Sequence, residues 1–369
     1  MRWLKRGFRR WRQGQTNLTP RQVQAEYEGG FAGAWLDTES KAMLHDSIRS
    51  DGGEVCGSDL ATSLGFADSG AGKLSLPFLY AAIWFPGCYP GPAQERGDCV
   101  SHGGAGASLT TIARDIAYRV PDEQTGVVEG VPDMPTQGIT EGVTSSEWLY
   151  WHRGYNGDGW DCASVARVIL KDGVLLKQPY PELGIDLTNY SGSLAGKYGR
   201  QSPPEKMNTE GRKHLIRTAT ELDTMEATRD WIHQGYGVID CGSQGWSSSR
   251  DENGVSVQRG RWAHSMIEPG FDDRDIVKQK YGEPLLLIKN SWGVWNRGPR
   301  DVMDSARYVP PALKQRWIEL DIVNAATGNI MIPLGSFWTK WSSAANRYRI
   351  ALSGANGWAP RPDGGDLAI

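Results

Sequence analysis

The apolar positions of the chain change rhythm near residue 235. From Cys99 onward, Ala105, Leu109, Ile112, Ala113, Ile116, Ala117 and Val120 recur every three or four residues. That is the period of one helix face, and it predicts a buried helix starting at or next to Cys99. Gly103, Gly104 and Gly106 fall in its first turns although glycine is a poor helix former, so a neighbour packed very close is expected there. Shorter helices are predicted around Ser146–Trp151, Cys162–Lys171 and Thr224–Gln234. Beyond Gly235 the texture shifts to YGVIDCG, RWAHSMIEPGF and PLLLIKNSW, short apolar or alternating runs broken by Gly and Pro, which read as strands. A helical half followed by a β half places the chain in the α+β class.

The segment leading to Cys99, LSLPFLYAAIWFPGCYPGPAQERGDC, carries Pro77, Pro86, Pro90 and Pro92 and cannot be one continuous helix. Residues 14–75 combine a polar, helix-compatible stretch with a Gly/Ser-rich one and read as an N-terminal extension. Residues 1–13 set Trp3, Leu4, Phe8 and Trp11 at roughly helical spacing among Arg2, Lys5, Arg6, Arg9, Arg10 and Arg12. Such a basic arm suits packing on its own domain or docking to a neighbouring subunit in an assembly, ahead of a membrane surface or nucleic acid. The expected organisation is an arm and extension over 1–75, a domain over 76–350 and a tail over 351–369. Within the domain the helical lobe spans about 93–225 and the β lobe about 226–350.

Composition narrows the class without naming a function. A chain of 369 residues with 39% hydrophobic and 22% charged residues is an ordinary globular protein, not a disordered or coiled-coil one. A net charge of −3 gives no reason to expect a nucleic-acid partner. The five cysteines include no CxxC pair and are odd in number, which argues against a dense disulfide framework. The pattern is compatible with a reducing compartment and leaves one bridge open. No apolar run approaches the length of a membrane span. The basic N-terminus has no apolar stretch behind it, so no signal peptide is expected, and the location is read as cytoplasmic unless a resemblance implies otherwise. No His/Cys/Asp grouping has metal-ligand spacing, and the Gly-rich stretches GGAGA and SGAGKLS lack the setting of a phosphate loop, so no metal or cofactor is expected.

Chemistry enters with Cys99. Nucleophilic catalysis by cysteine needs a thiolate, a base to make it, a group to orient the base and donors for the oxyanion. A cysteine opening a helix has part of this already, because the helix dipole and free N–H groups favour an anion. Downstream lie His264 in WAHSMIEPGF and Asn290 in LLLIKNSWGVWNRGP, while His45, His152, His214 and His233 have no partner motif.

These strings resemble the papain-like cysteine peptidases, in which a Gln precedes the nucleophilic Cys, a His follows on a strand and an Asn sits in N-S-W-G. Asn290-Ser291-Trp292-Gly293 matches that last motif, and Trp295 and Gly298 echo its continuation. NGDGWDCASVARVILKDGVLLKQPYPE resembles the substrate-facing wall and the helix after it, and TMEATRDWIHQGYGVIDCGSQGW the crossing between lobes. The resemblance spans roughly residues 90–300. It implies a helical lobe and a β-barrel-like lobe with the active-site cleft between them. It also implies Cys99 as nucleophile, His264 as base, Asn290 orienting the base and Gln94 as side-chain oxyanion donor. Gly157, Gly159, Trp160 and Trp292 would face or flank the substrate, with Trp292 shielding the His264–Asn290 bond.

The match departs from the family around the nucleophile. Gln94 is five residues before Cys99, one fewer than usual, Arg96 and Asp98 occupy the turn, and Val100 stands where the family has Trp. An alternative alignment puts His102 at the nucleophile's position and makes Cys99 a structural cysteine. Asp98 would either raise the thiol pKa or cap the helix. The implied substrate is a peptide or other amide bond. The Q-x-x-G-D-C-V-S-H form is also similar to papain-like proteins of tailed bacteriophages, which implies, as the competing reading, a structural virion or assembly component.

Overall fold

The computed structural model describes residues 64–119 and 143–355, with Ser58, Ala61 and Thr62. The basic arm, most of the extension and the tail from residue 356 lie outside the described residues.

Strand β1 (Leu74–Ser75) and helix α1 (Phe78–Trp84) lead into the site. Helix α1 fits between Pro77 and Pro86, which fix its limits. The long helix α2 (Cys99–Arg119) begins at Cys99, as the periodicity predicts, and Ala105, Leu109, Ile112, Ala113 and Ile116 are buried along it. Around it lie α3 (Ser146–Trp151), α4 (Cys162–Asp172), α5 (Gly192–Tyr198) and α6 (Glu205–Gly211), with a small hairpin of β2 (Pro179–Tyr180) and β3 (Ile185–Asp186). Ser145 caps α3 by accepting from the Trp148 N–H, and Asp161 caps α4 by accepting from the Ser164 N–H.

The sheet comprises β4 (Ile216–Glu221), β5 (Gly237–Trp246), β6 (Gln258–Asp272), β7 (Leu285–Lys289), β8 (Ser336–Lys340) and β9 (Tyr348–Ala355). Helices α7 (Met225–His233), α8 (Asp275–Tyr281), α9 (Lys314–Glu319) and α10 (Trp341–Ala344) decorate it. The antiparallel order is β4-β9-β5-β6-β7-β8, with β1 added to β6. Among the described residues the strand order is an open path. The sheet also draws β1 and β4 from outside residues 226–350, and β9 continues to Ala355.

The glycines of α2 mark where sheet and helices meet it. A Cβ on Gly103 would stand 3.2 Å from the Met266 carbonyl oxygen and against Ser265 Oγ. One on Gly104 would stand 2.7 Å from Val165 of α4, and one on Gly106 3.1 Å from Ile267 of β6. The close neighbours expected from the sequence are therefore α4 on one side and β6 on the other.

Candidate active site

The turn before α2 is braced from both sides. Arg96 pairs with Asp158 and donates from Nη1 to the Gly192 carbonyl at 2.9 Å. A Cβ on Gly196 would collide with its guanidinium, so the absence of a side chain there lets Arg96 pass. The Gly159 N–H donates to the Gly97 carbonyl at 2.9 Å. Asp98 uses its carbonyl to accept from the Ser101 and His102 N–H groups, which closes the first turn. Its carboxylate accepts from Tyr190 Oη at 2.8 Å and lies 3.6 Å from His102 Nε2. That charge is spent on Tyr190 and His102 rather than on the helix N–H groups. Cys99 follows as the first residue of α2.

His264 lies on β6, paired across the ladder with Gly242 of β5. Asn290 follows directly after β7, its N–H donating to the Gly335 carbonyl at 3.1 Å. Their side chains meet at 2.9 Å, His264 Nε2 to Asn290 Oδ1. With a carboxamide oxygen as acceptor, Nε2 carries the hydrogen and the imidazole is fixed in one tautomer. Burial lowers the His264 pKa to about 3; the Asn290 bond works against that, and the charges of Arg347 and His102 add to it. Arg347 donates to the His264 carbonyl at 3.1 Å and pairs with Asp240, both charges fully buried. Trp292 lies over the imidazole with centroids 4.8 Å apart.

Gln94 is tied to the Asn290 segment. Its N–H donates to the Ser291 carbonyl at 2.8 Å, and its Oε1 accepts from Ser291 Oγ. Its Nε2 donates to the Arg96 carbonyl at 2.8 Å. The sequence signal for Ser291 is its place inside N-S-W-G.

Of the four residues expected to meet substrate, Gly157 alone is exposed. Gly159 is buried, and its carbonyl accepts from Tyr155 Oη at 2.6 Å and from Arg153 Nη1 at 3.1 Å. Trp160 is buried in the core, and Trp292 is 1% exposed against His264. Cys99, His264 and Asn290 each have 0% exposure and Gln94 has 1%. The site is closed.

Two features beside it escaped the sequence. Cys162, at the start of α4, is disulfide-bonded to Cys241 on β5, 79 residues away. This is the one bridge that the spacing left open. Of the other described cysteines, Cys88 and Cys99 are not disulfide-bonded. The second feature is a cavity of about 80 Å³ bordered by Cys88, His102, Lys177, Lys289 and Asn290 but not by Cys99 or His264. Burial there drives the Lys289 amine down to about 8 and the Cys88 thiol up to about 12. Among the described residues no group of His, Cys, Asp and Glu could hold a metal ion, and no helix is long and apolar enough to cross a membrane.

No family model matches the sequence. No curated protein matches it either. Among solved structures the fold is similar to xylellain, a cysteine protease from Xylella fastidiosa, at 13% identity and a TM-score of 0.40, over 72% of this chain and 83% of that one. It is also similar to procathepsin B S9 from Trypanosoma congolense at 9% identity and a TM-score of 0.41, over 90% and 88%. A third is digestive procathepsin L2 from Tenebrio molitor larval midgut, at 9% identity and a TM-score of 0.36, over 76% and 68%. With TM-scores below 0.5, the chemistry has to be read from the geometry of the site itself.

Proposed function

We propose that this chain is a papain-like cysteine peptidase in which Cys99 is the nucleophile, His264 the base and Asn290 the group that orients it. The observation carrying the reading is the 2.9 Å bond from His264 Nε2 to Asn290 Oδ1, made between residues that sit apart in sequence and below a tryptophan. Because Asn290 holds Nε2, proton exchange with the nucleophile falls to Nδ1. The neutral imidazole accepts the Cys99 proton, the sulfur attacks the amide carbon, and the Cys99 N–H at the start of α2 with the Gln94 amide stabilises the oxyanion. His264 returns the proton to the leaving amine, and water then releases the acyl group from the thioester.

The match of Cys99 to the nucleophile, rather than His102, is supported by the bracing of the altered turn. His102 has a structural setting of its own, ring to ring with Tyr190 at 4.8 Å and close to Asp98. The competing role in an assembly rests on residues 1–13 and the tail, which lie outside the described residues, and no observation favours it.

The test is hydrolysis of a mixed peptide pool by the reduced protein, with Cys99→Ala, His264→Ala and His102→Ala compared. Hydrolysis abolished by the first two and kept within a few fold by the third is the expected result. Hydrolysis that survives Cys99→Ala would overturn the assignment.

A further inference from the structure

We infer that the Cys162–Cys241 disulfide is a redox lock on the Cys99 site, holding the site closed when oxidised and letting it open when reduced. What opening achieves rests on the peptidase reading above; the lock itself is a statement about access and is tested as one.

A sulfur with no exposed surface cannot attack a peptide carbonyl, so a catalytic Cys99 requires a second, open arrangement. The structure shows what would have to give way. Helix α2 is packed against the sheet along its length: a Cβ on Gly237 of β5 would fall 1.9 Å from the Ala107 carbonyl oxygen, and Thr111 Oγ1 donates to the Leu352 carbonyl at 2.8 Å. The two halves cannot part along that contact without losing the core. The other flank is the wall of residues 156–160 and the start of α4, and the disulfide joins that flank to the sheet.

The bridge is placed to act on the site. Cys162 comes two residues after Trp160, at the first position of α4. Cys241 pairs across the ladder with Ser265, the residue after His264, while its neighbour Gly242 pairs with His264 itself. Ser265 Oγ lies 3.3 Å from Cys241 Sγ, and since an oxidised sulfur has no hydrogen the hydroxyl is the donor. The same Ser265 Oγ occupies the space that a Cβ on Gly103 would need, one helical turn after Cys99. From Cys241 through Ser265 to the first turns of α2, the contact is continuous. The bond therefore joins the outer wall of the site to the strand that carries its histidine.

Opening takes two electrons, supplied by a dithiol. Cys162 is 1% exposed and Cys241 0%, so the step takes place when the first turn of α4 opens locally: one thiolate of the reductant attacks Cys162 Sγ, the Cys162–Cys241 bond breaks, and the released Cys241 thiolate takes up a proton. The second thiol of the reductant then resolves the mixed disulfide, leaving both cysteines reduced and the dithiol oxidised to a ring. Without the covalent tie, the wall keeps its non-covalent contacts: the Gly159–Gly97 hydrogen bond, the pairing of Asp158 with Arg96 and Tyr150, the Arg153 bond to the Gly159 carbonyl and the burial of Trp160.

The test measures access to Cys99 in the full chain by alkylation with iodoacetamide at one fixed pH in both redox states, in the wild type and in His264→Ala, so that ionisation by the base does not enter the comparison. Labelled peptides are identified by mass spectrometry, with Cys88 as internal reference. The expected result is labelling of Cys99 at least tenfold faster after phosphine reduction, with Cys88 unchanged and the near-UV circular dichroism retained. The double variant Cys162→Ser/Cys241→Ser should label at the fast rate without reductant; if it does not fold, the wild-type comparison decides. Equal Cys99 rates in the two redox states would overturn the lock. So would parallel acceleration of Cys88, which would mean general loosening. The His264→Ala variant separates the two readings: it should keep the redox difference in labelling while losing hydrolysis. A redox difference without hydrolysis in any form would remove the peptidase reading and leave the lock standing.

Discussion

Trp292 lies over the imidazole of His264, centroids 4.8 Å apart and planes inclined by 31°, and Trp262 closes in edge-on at 6.3 Å. The two indoles also meet each other at 4.8 Å. A hydrogen bond shielded in this way does not exchange with water, so the imidazole keeps its orientation. Trp292→Phe should keep most of the packing but thin the cover, lowering the hydrolysis rate of the reduced protein by about tenfold, or about 1.4 kcal/mol. Trp292→Ala should in addition destabilise the fold by about 3–5 kcal/mol, the usual range for a large aromatic lost from a core. Rates measured beside urea midpoints check both; an unchanged rate in Trp292→Phe would deny the shielding role.

Asn290 orients and does not react, which predicts a graded loss. Asn290→Ala leaves His264 Nε2 buried without its acceptor, at a cost of about 1–3 kcal/mol, so hydrolysis should fall by roughly 5- to 150-fold without vanishing. Cys99→Ala should remove it entirely. If Asn290→Ala matched Cys99→Ala in severity with its fold intact, the asparagine would have to take part in the chemistry.

Much of this architecture was legible because it is written locally. The start of α2 at Cys99, the whole of α3 and the three strand runs after Gly235 follow from spacing that a single segment displays. The N-S-W-G string located Asn290, and the structure placed it 2.9 Å from His264. What was not legible depends on partners distant in sequence. Nothing near Cys162 points to Cys241, and nothing near Gln94 points to the Ser291 hydroxyl. Nothing in the sequence around Arg347 and Arg349 marks them as buried. In the fold they are buried on Asp240 and Glu268 in and beside β9, which continues the sheet past the boundary expected at residue 350. Burial of the site is a tertiary property with no local trace, and Gly159 and Trp160 are buried with it.

The meeting of β5 with α2 gives a prediction about stability alone. A methyl group on Gly237 would fall 1.9 Å from the Ala107 carbonyl oxygen and 2.6 Å from its carbon, both backbone atoms. Backbone cannot swing aside as a flexible side chain does, so the strand or the helix must shift. Gly237→Ala should cost about 2–3 kcal/mol or more. Gly260→Ala, with no neighbour within 4 Å of its Cβ but a φ of +75°, should cost only the left-handed strain of about 1 kcal/mol. Chemical denaturation of both variants checks the ranking, and equal losses would refute the steric account.

The buried histidine also sets a pH dependence whose sign can be worked out. Burial lowers the folded pKa of His264 from the ordinary 6.5 to about 3. Between these values the unfolded chain binds a proton that the folded protein refuses, so stability rises with pH across that window. The contribution is complete above about 6.5 and is lost progressively as pH falls towards 3. In the oxidised, closed protein the urea midpoint should therefore decline on acidification. His264→Gln, which cannot take up that proton, should show a shallower decline over the same window. Parallel slopes for the two proteins would mean that His264 is not held neutral, and that the closed site admits its charge.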